Sequence, residues 1–376
     1  MTSPILQGYF GGAFRFYVHK FSLIWSSIRP ISNRNELFVK NKAIQIDSND
    51  RTVSVALVGG GNTPTYTALF LKQEPIIKVV RVADVGNKSA AGHSLDANHI
   101  DTSPKIKYFN KKNMIQGIEE VDIIGVMDEE DFTLGKASSH GQFLAGSQYV
   151  KGVAEKMVKT CPTALVVIFA HPVTAMTPLV SEVYKSAGWW HPDRIIGSLA
   201  IDSMRIRAMA ADLFYLNPAY IHVPIVGGAD ACTIVPLLSL ARPANQFSKE
   251  QQHSLIRCLR AADNELASFN ENCGSWGREA GPKLSLATAA SKFIITLARG
   301  YCGFRNSIAS AFVRSNVLTA SQFFATELQF GPGGVQKNFG LPKVSNIEVD
   351  LIEQAIPLIN ANVDLGVNFI KENCKT

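Results

Sequence analysis

Between Val53 and Leu199 short β-rich runs alternate with helical stretches, and this rhythm is what most restricts the fold. Val53–Val58, Lys78–Asp84, Lys105–Phe109, Val121–Met127, Ala164–Ala170 and Arg194–Leu199 read as strands. Several are apolar nearly throughout, as strands buried on both faces must be. Pro64–Lys72 begins a helix after the first strand, and Tyr149–Lys159 is amphipathic. A βαβ succession of this kind demands a parallel sheet with helices on both faces. Beyond it the rhythm changes. A helix over Ser203–Tyr215 precedes a strand-like Ile221–Val226 and two long helical patterns at 249–267 and 283–300. Strands Ile308–Arg314 and Gln322–Phe330 follow, then a glycine-rich turn from Gly331 to Gly334 and a C-terminal helix around Ile347–Ile370. The expected fold is α/β: a doubly wound parallel sheet over 52–197, then an α+β lobe over 198–374.

The first strand runs into Gly59, Gly60, Gly61, Asn62, Thr63 and Pro64. Glycines that open a helix after a strand let backbone N–H groups and the helix N-terminus face a pyrophosphate. Asp84, 25 residues after Gly59, ends the second strand, where an acid would hydrogen-bond ribose hydroxyls and favour NAD over NADP. Asn62 can take the left-handed conformation, and Thr63 with Pro64 suits an N-cap and first helical turn. A side chain at Thr65 presses on the strand or the pyrophosphate. Either the turn binds NAD, or it only connects strand to helix.

Charge narrows the partners. Of the formal +6, Arg15, Lys20, Arg29 and Arg34 precede the first acid, Glu36, and the rest carries about +2. That leaves no nucleic-acid footprint. The acid-free segment reads FRFYVHKFSLIWSSIR, with basic residues between apolar ones, as a mitochondrial transit peptide does. Residues 1–45 are therefore expected to be a leader or an extension, with the mature chain in the matrix. No apolar run approaches the roughly 18 residues that span a bilayer. The cysteines Cys161, Cys232, Cys258, Cys273, Cys302 and Cys374 lie far apart, so reduced thiols are expected rather than a metal site or disulfides.

Asp202 and Arg205 sit three apart and share a face of a helix. An acid beside an arginine either orients a base or grips a carboxylate. Around this pair, segments such as LDANHIDTSPKI (95–106), TCPTALVVIFAHPV (160–173), VPIVGGADACTIVPLLS (223–239) and DLIEQAIPLINANVDLGVNFIK (350–371) resemble the mitochondrial-type NAD-dependent malate dehydrogenases. The resemblance covers nearly everything from about Thr52 onward. It implies a Rossmann-type nucleotide half, a substrate half and a lactate/malate dehydrogenase fold. Relative to that family's G-x-x-G-x-x-G pattern, Asn62 and Thr65 replace glycines.

Such enzymes move a hydride between malate and the nicotinamide. A histidine takes the hydroxyl proton, an aspartate orients it, and arginines clamp the carboxylates. Asp202 and Arg205 match the family's aspartate and helix-borne arginine. Ala229 replaces the histidine of the Gly-Gly-His motif, and His171 replaces an asparagine beside the nicotinamide, with Thr174 on the same turn's second asparagine. The mobile loop's P-R-K-P-G-M-T-R pattern becomes DEEDFTLGKASSH, with Thr133 and Ser139 on the arginine positions and an acidic run Asp128–Asp131 nearby. The resemblance thus implies a malate-dehydrogenase-like protein with weak or no activity, acting as a homodimer or beside an active paralogue. The alternative is a working dehydrogenase on malate or another 2-hydroxy acid, with His171 as base and Asp230 or His140 assisting. His171 merely filling a polar slot is the plainer reading. Nothing else among the histidines has the spacing of metal ligands.

Overall fold

In the computed structural model, which describes residues 51–84, 86, 90–130, 139–243, 246–272 and 282–373, β1 (Val53–Gly59) lies inside a broad sheet. On one side come β2 (Ile77–Asp84) and β3 (Lys105–Phe109), and on the other β4 (Ile123–Val126), β5 (Leu165–Ile168) and β6 (Ile195–Ser198). All of these pairings are parallel. The order 3-2-1-4-5-6 is the doubly wound arrangement expected from the βαβ rhythm.

The connecting helices are α1 (Thr63–Leu71), α2 (Ala90–Ala97), α3 (Met114–Ile118), α4 (Ser139–Thr160) and α5 (Val173–Ser186). Beyond β6 come α6 (Ala200–Leu213), α7 (Lys249–Asn272), α8 (Lys283–Tyr301) and α9 (Asn346–Asn373). The strand pleat explains the layering. In β1, Ala56 and Val58 join the apolar cluster of α3, α4 and α5, whereas Val55 and Leu57 join that of α1 and α8. Successive side chains face opposite layers, so the run VSVALV has to be apolar almost throughout.

The sheet does not stop at β6. Antiparallel pairing carries it into β9 (Ile308–Arg314) and β10 (Phe323–Gly331), then to β7 (Ile225–Gly227) and β8 (Ile234–Pro236), with β11 (Gly334–Asn338) also on β10. Here α6, α7 and α9 cover the apolar face. Residues Arg51–Thr376 form one compact unit, and the halves expected to meet at 197/198 share a sheet across that point. The strand expected over Ile221–Val226 is shorter and shifted, to Ile225–Gly227. It ends in Gly227, at φ +102, where a Cβ would lie within van der Waals overlap of the Thr233 carbonyl. Only glycine permits both. The leader expected over 1–45 lies outside the described residues. Among the described cysteines, Cys161, Cys232, Cys258 and Cys302 form no disulfide, and no helix among the described residues is long and apolar enough to cross a membrane.

One buried acid ties α9 to the rest. Ser345 precedes α9 and Glu348 is its third residue, so Glu348 reaches back to the Ser345 N–H at 2.8 Å in a capping box. The same carboxylate, 1% exposed, accepts the Ser345 hydroxyl, the Ser239 N–H at 2.9 Å and the Ser239 hydroxyl at 2.6 Å. Removing it leaves four half-buried donors on two segments without their acceptor. Glu348→Ala is expected to cost about 3–5 kcal/mol in urea unfolding, and a loss below about 1 kcal/mol would contradict this account.

Candidate active site

The carboxyl ends of the parallel strands carry the first part of the site. At the end of β1, Gly59 leaves no room for a side chain: a Cβ would lie 2.9 Å from Met127 Cβ and 3.0 Å from the Asp128 carbonyl oxygen. Gly61, not Asn62, takes the left-handed conformation, at φ +71. Asn62 is the N-cap of α1, at φ −93, and Thr63 and Pro64 are its first helical residues. Glycine carries no Cβ penalty in the left-handed region, so it takes that role when both are adjacent. Asp84 is the register partner of Gly59 across β1 and β2, which sets it at the same sheet end as the turn.

This turn does not fit a dinucleotide as it stands. The Gly60 N–H, which a pyrophosphate would need, donates to the Asp128 carbonyl at 3.0 Å. The crevice between Gly60, Met127, Asp128, Glu130 and Leu286 measures about 10 Å³. That is room for about one water, whereas pockets for larger ligands run to several hundred Å³. The carboxylate of Glu130 adds charge of the wrong sign for a phosphate. Thr65, expected to press on its surroundings, has its hydroxyl buried without a hydrogen-bond partner.

The second part is an acid-rich cluster under the same strand ends. His171 follows β5 and enters α5 through a cis peptide to Pro172. Its Nδ1 lies 2.9 Å from Asp128 Oδ2, and its backbone N–H donates to Asp128 Oδ1 at 2.8 Å. Asp128 therefore fixes both the main chain and the ring. Asp202 and Arg205 share a face of α6, with Arg205 Nη1 3.7 Å from Asp202 Oδ1. Arg205 also donates through Nη2 to Asp263 of α7. Ala229, 7% exposed, donates its N–H to Thr174 Oγ1 at 3.0 Å. Asp230 beside it accepts from Asn362 of α9 at 3.3 Å.

Electrostatics follow from the crowding. Burial pushes the Asp202 carboxyl up to about 7, with Asp263 and Asp230 adding to the rise and Arg205 and His171 opposing it. Asp230 is also raised by burial, against the hydrogen bond from Thr174. Burial by itself would lower the His171 imidazole, but the charge and hydrogen bond of Asp128, then Asp263 and Asp230, outweigh it and raise it. Like charges gathered in a partly dry site favour whichever forms carry less net charge. An arginine held by two carboxylates in such a place is a poor receptor for a further anion.

The structure thus brings His171, Asp202, Arg205 and Ala229 together, and it adds Asp128, Asp263 and Asn362. Asp263 bonds an arginine 58 positions away and carries no local signal. Ser139 is the exposed first residue of α4, and Thr133 lies outside the described residues. Among the described residues no group of three or more His, Cys, Asp or Glu is placed to hold a metal ion.

A doubly wound sheet with a glycine turn at its switch point, followed by an acid–arginine helix and an antiparallel lobe, defines a dehydrogenase-type scaffold. Residues 200–370 match the lactate/malate dehydrogenase α/β C-terminal domain. The chain is 31% identical over 338 residues to the mitochondrial malate dehydrogenase of Caenorhabditis elegans, covering 88% of this chain and 95% of that one. It is 30% identical over 323 residues to the glyoxysomal malate dehydrogenase of Cucumis sativus, covering 84% and 87%. The fold superposes with a TM-score of 0.69, at 18% identity, on Cryptosporidium parvum lactate dehydrogenase complexed with lactic acid and nicotinamide adenine dinucleotide, covering 84% and 98%. The chain belongs to the malate dehydrogenase family.

Proposed function

We propose that this chain is a malate-dehydrogenase-like mitochondrial protein with weak or no activity between malate and oxaloacetate. The observation that carries the reading is Arg205 held by both Asp202 and Asp263, and the resemblance sets Ala229 where the family has a histidine. In the family the aspartate orients a proton carrier and the arginine receives a substrate carboxylate. Here the aspartate has no histidine from the Gly-Gly motif, and the arginine already has its carboxylates. Thr133 and Ser139, on the positions of the loop arginines, supply no positive charge.

Residues 52–197 then form the nucleotide-type half and 198–374 the substrate and subunit-pairing half. Residues 1–45 act as a transit peptide to the matrix, a reading supported by their acid-free basic composition and by a mitochondrial relative. Pairing follows the family as a homodimer, or as a heterodimer with an active paralogue whose matching surface it shares. NAD is the family cofactor, and Gly59, Gly60, Gly61, Asn62 and Asp84 are the residues that would meet it. Because the Gly60 amide is already bonded and the crevice holds about one water, calorimetric titration with NADH should give a Kd weaker than about 1 mM. A low-micromolar Kd would show that the crevice opens.

One observation favours a second reading. The 2.9 Å contact of His171 with Asp128 has the form of an oriented general base. In that case the chain is an NAD-dependent 2-hydroxy acid dehydrogenase with a rebuilt site, its substrate neutral or cationic where the acidic residues lie. Steady-state oxidation of NADH with oxaloacetate, then with other 2-oxo acids, separates the two. A specificity constant of about 10⁴ M⁻¹s⁻¹ or more on oxaloacetate overturns the first reading.

A further inference from the structure

Just past the end of β4, one residue touches both neighbouring strand ends. β4 lies between β1 and β5, and the Met127 N–H carries the ladder one step further, donating to the Val58 carbonyl at 2.8 Å. Asp128 comes next. On the β1 side its main-chain carbonyl accepts the Gly60 N–H at 3.0 Å. On the β5 side its carboxylate accepts the His171 N–H at 2.8 Å and faces the His171 Nδ1 at 2.9 Å. The side chain thus fixes the position from which the carbonyl reaches Gly60.

The place matters. In a doubly wound sheet a dinucleotide lies across the gap where the strand order turns back, here between β1 and β4. The Asp128 peptide fills that gap. A Cβ on Gly59 would stand 3.0 Å from the Asp128 carbonyl oxygen, so backbone meets backbone where a pyrophosphate has to pass. The contact with His171 is also well protected. The two side chains are only 18% and 21% exposed, which limits competition from water. Burial lowers the His171 imidazole, but Asp128 leads the acids that outweigh it, and a proton on the ring makes the contact charge-assisted.

We infer that the Asp128 carboxylate is an autoinhibitory latch: by holding His171 it keeps its own carbonyl on the Gly60 amide and shuts the crevice against a dinucleotide. This rests on the reading of the unaltered chain as a weak binder of NADH, and it names the side chain responsible. When only a fraction of molecules is open, the apparent Kd is the intrinsic one divided by that fraction. With the latch released, the Gly60 N–H is available to a phosphate oxygen.

Calorimetric titration of the full chain and its variants with NADH tests the latch. Asp128→Ala, which lacks both carboxylate contacts, should bind at least about tenfold more tightly than the parent. Asp128→Asn loses the charge but keeps an oxygen for the His171 N–H and an amide beside Nδ1, so it should stay within about threefold of the parent. An equal gain in both variants overturns the latch, because repulsion by the carboxylate would then account for it. Tighter binding cannot come from unfolding, and circular dichroism melts check that Asp128→Ala folds. Should it fail to fold, His171→Ala, which cuts only the ring contact, should still tighten binding about threefold or more. Unchanged binding in the folded variant overturns the inference and leaves the weak-cofactor reading standing. A parent that already binds NADH with a low-micromolar Kd overturns that reading, and the latch with it.

Discussion

Reduction of oxaloacetate by NADH is expected to run at least about 10⁴-fold below the rate of an ordinary enzyme of this class, when measured at micromolar protein. A positioned general base is worth about 10²–10⁴ in rate. On the proposed reading, which sets Ala229 where the family has a histidine, that factor is gone unless another group supplies it. Each lost charge-assisted hydrogen bond to a substrate carboxylate removes about 1.5–3 kcal/mol. On the same reading, two missing loop arginines account for roughly 3–6 kcal/mol, another 10²–10⁴. Arg205 would have to leave Asp202 and Asp263 to bind substrate, which lowers affinity further. Ordinary specificity constants are about 10⁴–10⁸ M⁻¹s⁻¹, so losses of 10⁴–10⁸ consume most of the range. His171, oriented by Asp128, is the group best placed to reduce the deficit. If residual turnover runs through it, His171→Asn should abolish that turnover. Unchanged turnover in this variant would leave the His171–Asp128 pair as a structural clasp and remove the second reading.

The second large effect concerns stability and pH. Asp202 has a folded-state pKa of about 7 against an ordinary 3.8. Between those values the folded chain keeps a proton that the unfolded chain has released, so unfolding releases protons and stability falls as pH rises. This contribution is fully present below about pH 4 and is lost as pH passes through about 7. His171, whose pKa is also raised, acts in the same direction: its stabilisation is present below its ordinary 6.5 and disappears as pH rises through its folded value. Asp202→Asn keeps this position uncharged at every pH, so the variant escapes the penalty of ionising a buried carboxyl while Arg205 keeps Asp263. The variant should therefore be more stable than the parent at pH 8, on the order of 2–4 kcal/mol, and closer to it at pH 5. Urea unfolding at the two pH values measures this. A variant less stable than the parent at pH 8 would mean that the pair with Arg205 outweighs the burial of Asp202.

Much of the fold was legible because its strands and long helices repeat on a short period. Lys105–Phe109 and Ile308–Arg314 begin and end where the residues suggest. Other elements carry mixed signals. Helix α5 begins directly after His171 and Pro172 and contains Pro178, so it reads locally as a loop. Strand β8 is only Ile234–Pro236, too short to show a period. The site divides in the same way. Asp202 and Arg205 announce themselves by a spacing of three. The acidic run after β4 reads only as charge, whereas Asp128 turns out to hold His171 by ring and main chain. Asp263 and Asn362 come from distant helices, and only tertiary packing reveals them. At the glycine turn the residue types were sufficient to place the bend, but the choice between Gly61 and Asn62 for the left-handed position depended on which neighbour caps α1.

The junction where Gly197 and Ser198 of β6 meet Phe312 and Ala311 of β9 has a practical corollary. Backbone ladders cross from the first half of the chain to the second, so a truncation at that seam exposes raw strand edges on both fragments. Such edges invite aggregation. The halves are thus poor candidates for separate expression, and dissection of their roles belongs to point substitutions in the intact polypeptide.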